Sequence, residues 1–150
     1  MGDYYSGSRA INGTFGEVWV GDEYIADITS LEAKVSIEKS DVQVARKLTK
    51  SKKVTGMSGS GTIKTNKTRS YFMNLISNAL KEGKDTSVTI TSKLEDPDAL
   101  GTEEVVLKNC SFDELSLVNF EGGKLGEESI PFTFDDWDIK QSITTSWTKR

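Results

Sequence analysis

Residues 29–38 read Thr29-Ser30-Leu31-Glu32-Ala33-Lys34-Val35-Ser36-Ile37-Glu38. From Ser30 onward every second side chain is apolar (Leu31, Ala33, Val35, Ile37), and those between are serine, glutamate or lysine. A period of two places one set on each face of a strand, so this stretch is a strand with one face toward a core. The same period spreads outward along the chain. Thr14–Val20 and Glu23–Ile28 flank Gly21-Asp22, a pair suited to a tight hairpin turn. Further strands are expected at 55–66, 87–94, 103–112 and 115–120. After a Gly122-Gly123 turn, a last strand is expected at 129–139, with Ile130, Phe132 and Phe134 on one face.

One segment follows a different period. In Ser70–Glu82, Phe72, Leu75, Ile76, Ala79 and Leu80 recur at helical spacing. Thr68 or Ser70 can cap its start, and Gly83 can end it in the left-handed conformation. Many short strands and one amphipathic helix define a mainly β fold (α+β). The expected form is a β-sandwich or part-barrel with one flanking helix at about residues 70–82. The 150 residues fit one domain, with no internal repeat or linker.

Charge is distributed unevenly. Residues 39–69 hold nine basic side chains and the single acid Asp41, a net +8, whereas the rest of the chain holds 10 basic and 22 acidic side chains, a net −12. Within the basic part, residues 40–54 show no clear period, and a structureless run of that length is uncommon inside a compact domain. It reads as an extended basic arm, ordered by a partner, with Arg46, Lys47, Lys50, Lys52 and Lys53 as its contact residues. Acceptor candidates are Glu127, Glu128, Asp135, Asp136 and Asp138, on an adjacent copy of the chain.

Motifs that would carry chemistry fail on inspection. The chain has no histidine, which removes Ser-His-Asp and Cys-His catalysis and the usual zinc sites. Gly56–Thr65 imitates a phosphate loop, but Thr62 follows Gly61 where a lysine is required, and the flanks alternate as a strand. Gly59 and Gly61 point instead to a strand that another backbone approaches closely. Asp135-Asp136-Trp137-Asp138 lacks the glycine and the spacing of a calcium loop and reads as an acidic edge, while Glu95-Asp96-Pro97-Asp98 reads as a turn. Cys110, the only cysteine, reads as a small buried apolar side chain. No cofactor and no metal are expected, and no enzymatic activity. Apolar runs fall far short of the roughly 20 residues of a membrane span, and Met1–Tyr5 has no signal-peptide character. Residues 39–69 contain no aromatic to stack on bases, which weighs against nucleic-acid binding beyond sequence-blind phosphate contact; that reading and a small-ligand-binding β-barrel stand as alternatives to a structural role.

Five pieces in order give the chain a specific likeness: Gly13-Thr-Phe-Gly-Glu-Val-Trp-Val-Gly-Asp-Glu, Ile28-Thr-Ser-Leu-Glu-Ala-Lys-Val, Lys53-Val-Thr-Gly-Met-Ser-Gly-Ser-Gly-Thr, Tyr71-Phe72, and Ile130-Pro-Phe-Thr-Phe-Asp-Asp-Trp-Asp. Over roughly residues 11–140 the sequence resembles the tail tube proteins of contractile-tailed phages, PBSX-like defective prophages and phage-tail-like (R-type) bacteriocins. It departs from their pattern at Ala45-Arg46-Lys47, where a glycine is expected before the basic pair. The resemblance implies the fold shared with the ring protein of type VI secretion systems, and hexameric rings stacked into a hollow tube. It also implies an arm that reaches the neighbouring ring. The implied partners are further copies of the chain, a sheath protein, and baseplate and tail-terminator proteins. In an infectious phage, DNA would pass through the channel without sequence-specific binding. The implied place is a virion or phage-tail-like particle, assembled in the bacterial cytoplasm.

Overall fold

The computed structural model describes residues 13–97 and 101–143. A 3-10 turn, Gly13–Phe15, leads into β1 (Gly16–Val20) and β2 (Glu23–Tyr24). The long pair β3 (Ile28–Val42) and β4 (Ser51–Asn66) follows, then α1 (Tyr71–Lys81), β5 (Val88–Leu94), β6 (Glu103–Phe112), β7 (Glu127–Phe134) and β8 (Asp136–Gln141). Neighbouring strands run in the order β2-β1-β5-β6-β7-β4-β3, with β8 paired to β6 beside that path, and each pairing is antiparallel.

β6 joins the two layers. Its residues Glu104–Lys108 carry β8, and its last two, Ser111 and Phe112, carry β7. One layer is therefore β2-β1-β5-β6-β8, and the other is β3-β4-β7 with the end of β6. Among the described residues β3 pairs only with β4, and β8 only with β6, so the sheet stays open. This is the expected part-barrel with a flanking helix.

The core forms where the alternating faces meet. Val18 and Val20 of β1, Ile63 of β4, Ile90 of β5, Leu107 and Cys110 of β6, and Ile130, Phe132 and Phe134 of β7 are buried together. The helix adds Phe72 and Ile76, and the Phe72 ring meets Phe112 edge-on at 5.8 Å. Leu80, on the same expected face, is exposed. Glycines in β4 make room for the aromatics of β7. Gly59 lies across from Phe134 and Gly61 from Phe132, where a side chain would collide with the rings. The close neighbour expected at these glycines is thus mainly an aromatic ring, with the Glu32 carbonyl also pressing on Gly61.

Helix α1 starts without the expected side-chain cap. Ser70 holds the N-cap position but makes no side-chain cap bond, and the Thr68 hydroxyl donates instead to Asp27 at 2.9 Å. Its end is as expected. Gly83 takes φ +72°, and the amides of Gly83 and Lys84 donate to the carbonyls of Leu80 and Ala79, a Schellman closure.

Three strand expectations need correction. The strand expected at Glu23–Ile28 shrinks to Glu23–Tyr24, because Ile25 turns inward to the core and Ile28 already belongs to β3. Residues 129–139 are two strands, because the chain leaves β4 after Phe134 and crosses to β6, bending at Asp135. Leu115–Phe120 forms no strand. Alternation gives it the propensity, but within the described residues it has no neighbour to pair with.

Candidate functional site, an assembly surface

The β3–β4 hairpin is longer than the core needs. Its inner pairs, Leu31↔Ile63 to Val35↔Gly59, lie over the core, and from Ser36 to Lys50 every residue is exposed. Pairing nevertheless continues through a bulge to Asp41↔Lys52 and Val42↔Ser51. Residues 40–42 and 51–54 of the region expected to lack structure are therefore paired strand, and residues 43–50 are irregular. At ~3.3 Å per residue, Glu38–Val42 alone carries the arm about 17 Å past the core. The tip turns on Arg46, at φ +62°, a left-handed conformation that costs a non-glycine residue about 1–2 kcal/mol.

Arg46, Lys47 and Lys50 sit in that tip, and Lys52 and Lys53 at the start of β4, all exposed. Among the described residues none of the five forms an ion pair. Leu48, Val54 and Met57 expose apolar surface beside them. The arm thus presents cations and apolar side chains together.

The acidic candidates are divided between two places. Glu127 and Glu128 start β7, opposite Asn66 and Thr65, at the end of the sheet away from the arm. Glu127 is exposed. Glu128 is held by Lys67 at 2.8 Å with its side chain largely covered. Asp135, Asp136 and Asp138 lie beside the middle of the sheet. Asp135 accepts from the Asn109 side-chain amide at 2.8 Å, and Asp136 from the backbone amide of Trp137 at 2.9 Å. Asp138 receives both Lys108 at 2.9 Å and Lys140 at 3.3 Å. The hydrogen bond from Lys108 is the main cause that holds the Asp138 carboxyl below its ordinary range, and the same bond raises the Lys108 ammonium. The structure brings no arm cation to any of these acids within one subunit. Lys67, Asn109, Lys108 and Lys140, which satisfy several of them locally, carry no sequence signal until the strand register is known.

Cys110 is fully buried with its thiol directed at the Leu107 carbonyl. Burial pushes the thiol up to about 11. An apolar cleft of about 310 Å³ opens between β3 and β8, lined by Leu31, Val35, Leu107, Phe134, Trp137 and Ile139 among others. Among the described residues, no three His, Cys, Asp or Glu side chains converge as a metal site, and no helix is long and apolar enough to cross a membrane. Asp98, the last residue of the expected acidic turn, lies outside the described residues.

A family model described as "Phage tail tube protein" matches residues 3–140. The phage-like element PBSX protein XkdM of Bacillus subtilis (strain 168) is 31% identical over 141 residues, which cover 93% of this chain and 96% of that protein. The uncharacterized protein YqbM of the same organism is 30% identical over the same coverage. Among solved structures, a chain of the extended sheath–tube complex of the extracellular contractile injection system PVC superposes with a TM-score of 0.72 at 16% identity, covering 93% of this chain and 100% of that one. A chain of the PVC sheath/tube terminator superposes with a TM-score of 0.71 at 15% identity, covering 88% and 97%. At such identities the likeness is one of fold. The match along nearly the whole chain decides the family: this protein belongs to the phage tail tube proteins and is a structural component of a phage-type tail.

Proposed function

We propose that this chain is the tube subunit itself, one domain per copy, closing into hexameric rings that stack into a hollow conduit inside a contractile sheath. The observation that carries the reading is the projecting β3–β4 arm, whose five cations find no ion-pair partner among the described residues of their own subunit. A charged arm with no ion-pair partner among the described residues of its own chain is suited to a second copy. The open edges of the sheet favour the same reading, since unpaired strand edges are removed when copies join into a closed ring. The arm lies at one end of the sheet and Glu127 and Glu128 at the other, so stacking head to tail faces cations with acids. Contacts of that heterologous kind propagate into a filament.

On this reading the acceptors of Lys50, Lys52 and Lys53 lie among Glu127, Glu128, Asp135, Asp136 and Asp138 of the adjacent ring. Glu127 is the most available of them, being exposed and, unlike Asp135 and Asp136, in neither an ion pair nor a side-chain hydrogen bond among the described residues. The outer partners are a sheath protein, a baseplate that starts the tube and a terminator that ends it. The role is mechanical and not enzymatic, and assembly takes place in the bacterial cytoplasm. The net −12 outside residues 39–69 suits a channel wall that repels phosphate, so that DNA passes without sticking.

The test is charge reversal of Lys52→Glu together with Lys53→Glu, examined by electron microscopy beside the unmodified chain. Single rings without tubes are expected from the variant. Tubes of ordinary length from the variant would remove the arm from the stacking contact. Single rings from the unmodified chain would make it a terminator, a role within reach of the same fold.

A further inference from the structure

The two layers leave an open seam on one side of the molecule. β3 and β8, the strands that border it, each pair on one side only among the described residues. The cleft of about 310 Å³ opens between them, and Leu31, Ser92 and Glu103 line both this cleft and a second space of about 420 Å³ that runs on past Gly16 and Leu94. The two spaces form one mouth along the seam. On its β8 side Trp137 is 36% exposed and Ile139 62%, so part of an apolar lining stands in water in the single subunit.

The chain leaves the described residues at the rim of this mouth. β8 ends at Gln141, opposite Glu104. Ile143 lies beside Gly101, its Cα 3.7 Å from where a Cβ would stand there. Thr144-Thr-Ser-Trp-Thr-Lys-Arg150 follows in the sequence. The family match stops at residue 140, so this tail stands outside it. Its threonines favour an extended backbone, and in that form Ile143 and Trp147 share a face. At ~3.3 Å per residue Trp147 has a reach of about 13 Å from Ile143, the same four-residue step that separates Ile143 from Ile139. A tail turned back along β8 would bring Trp147 level with Ile139 and Val105, which face each other across the β8–β6 ladder. It would also bring the Arg150 cation toward Asp136, whose carboxylate accepts the Trp137 amide but forms no ion pair among the described residues.

We propose that residues 144–150 fold back into the cleft between β3 and β8 of their own subunit, with Trp147 seated on Val105, Trp137 and Ile139, and that this contact guards the β3 border of a free subunit until assembly displaces it. Seating withdraws a large aromatic and the apolar lining from water together. It also makes the border available only part of the time. A subunit whose tail is seated about 90% of the time offers an open border about 10% of the time, which weakens its association about 10-fold. The segment before Gly13 meets the mouth at its other end, beside Thr29 and Ser30, where no aromatic seat exists. The guarding role rests on the ring reading above, whereas the seating does not.

NMR of the full chain, at a concentration where it is monomeric, reads the seating. Cross-relaxation peaks from the Trp147 indole to the methyls of Val105 and Ile139 are expected, with relative intensities unchanged on dilution. Deletion of 144–150, and separately Trp147→Ala in the full chain, should lower the concentration at which rings appear in electron micrographs by about 10-fold, with the amide spectrum of the sheet core unchanged. Absence of the Trp147 peaks would overturn the proposal. Peaks that fade on dilution would make the occupant a second copy, and peaks from Tyr4 or Tyr5 in their place would make it the leading segment; either result overturns it as well. A seated tail whose removal leaves the ring threshold unchanged would overturn the guarding role and leave the ring reading intact. An unmodified chain that forms no rings, even with a baseplate present, would overturn the ring reading and the guard, while the monomer spectrum still decides the seating.

Discussion

Gly59→Ala places a methyl carbon 2.5–2.7 Å from three ring carbons of Phe134, well inside contact distance. The ring cannot step aside cheaply. It is buried in the core, sits directly across the β4–β7 ladder from Gly59, and meets Trp137 edge-on at 6.4 Å. Overpacking of this kind costs about 1–3 kcal/mol, while the restricted unfolded backbone of alanine returns about 0.4–1 kcal/mol. A net loss of about 1–2 kcal/mol follows. Phe134→Ala alone should cost about 3–5 kcal/mol as a buried aromatic truncation. In the double variant the methyl enters the space the ring vacated, so the sum of the single losses should exceed the double loss by about 1–2 kcal/mol. Gly61→Ala paired with Phe132→Ala should couple less completely, because the Glu32 backbone carbonyl presses on Gly61 whether or not the ring is present. Urea unfolding followed by tryptophan fluorescence, at a concentration where the chain is monomeric, measures both cycles. Additivity within ~0.5 kcal/mol at Gly59 and Phe134 would refute the account of why β4 carries glycines.

Gly83→Ala forces a side chain into the φ +72° that closes α1 and should lower stability by about 1–2 kcal/mol; an unchanged melting temperature would argue against that closure. Cys110 should ignore a thiol reagent at pH 8 until the protein unfolds, since its thiol is buried with a pKa of about 11; rapid stoichiometric labelling of the folded chain would contradict its burial. Asp138 should titrate below its ordinary 3.8 because Lys108 and Lys140 stabilise its charged form. Its folded pKa is the lowered one, so the stabilisation is fully present above the ordinary carboxyl range and is lost as pH falls through the folded value. A carboxyl-carbon NMR titration with a midpoint at or above 3.8 would refute the pairing.

How much the sequence discloses follows from where each feature's cause lies. Helix 70–82 is legible because Phe72 and Ile76 recur at 3.6-residue spacing and Gly83 marks its end, all within one short window. The strand at 103–112 is legible too, because its strand-forming residues also lie within one short window. The division of 129–139 is not, because the alternation of Ile130, Phe132 and Phe134 gives no sign that the chain changes partner at Asp135. The arm shows its charge but hides its pairing, since Asp41↔Lys52 and Val42↔Ser51 follow from a register set by distant core residues. The acidic candidates suffer most. That Glu128 already holds Lys67, and Asp138 both Lys108 and Lys140, depends on which strands lie side by side. For 115–120 the propensity is plain in the sequence, whereas the described residues offer it no strand to pair with.

The central claim is that copies of this chain join laterally and stack. Electron microscopy of the concentrated chain measures both at once. The account predicts end-on views with sixfold symmetry around an open centre and side views of tubes built from evenly spaced rings. A population that stays monomeric at every concentration, with a baseplate present to start assembly, would contradict it.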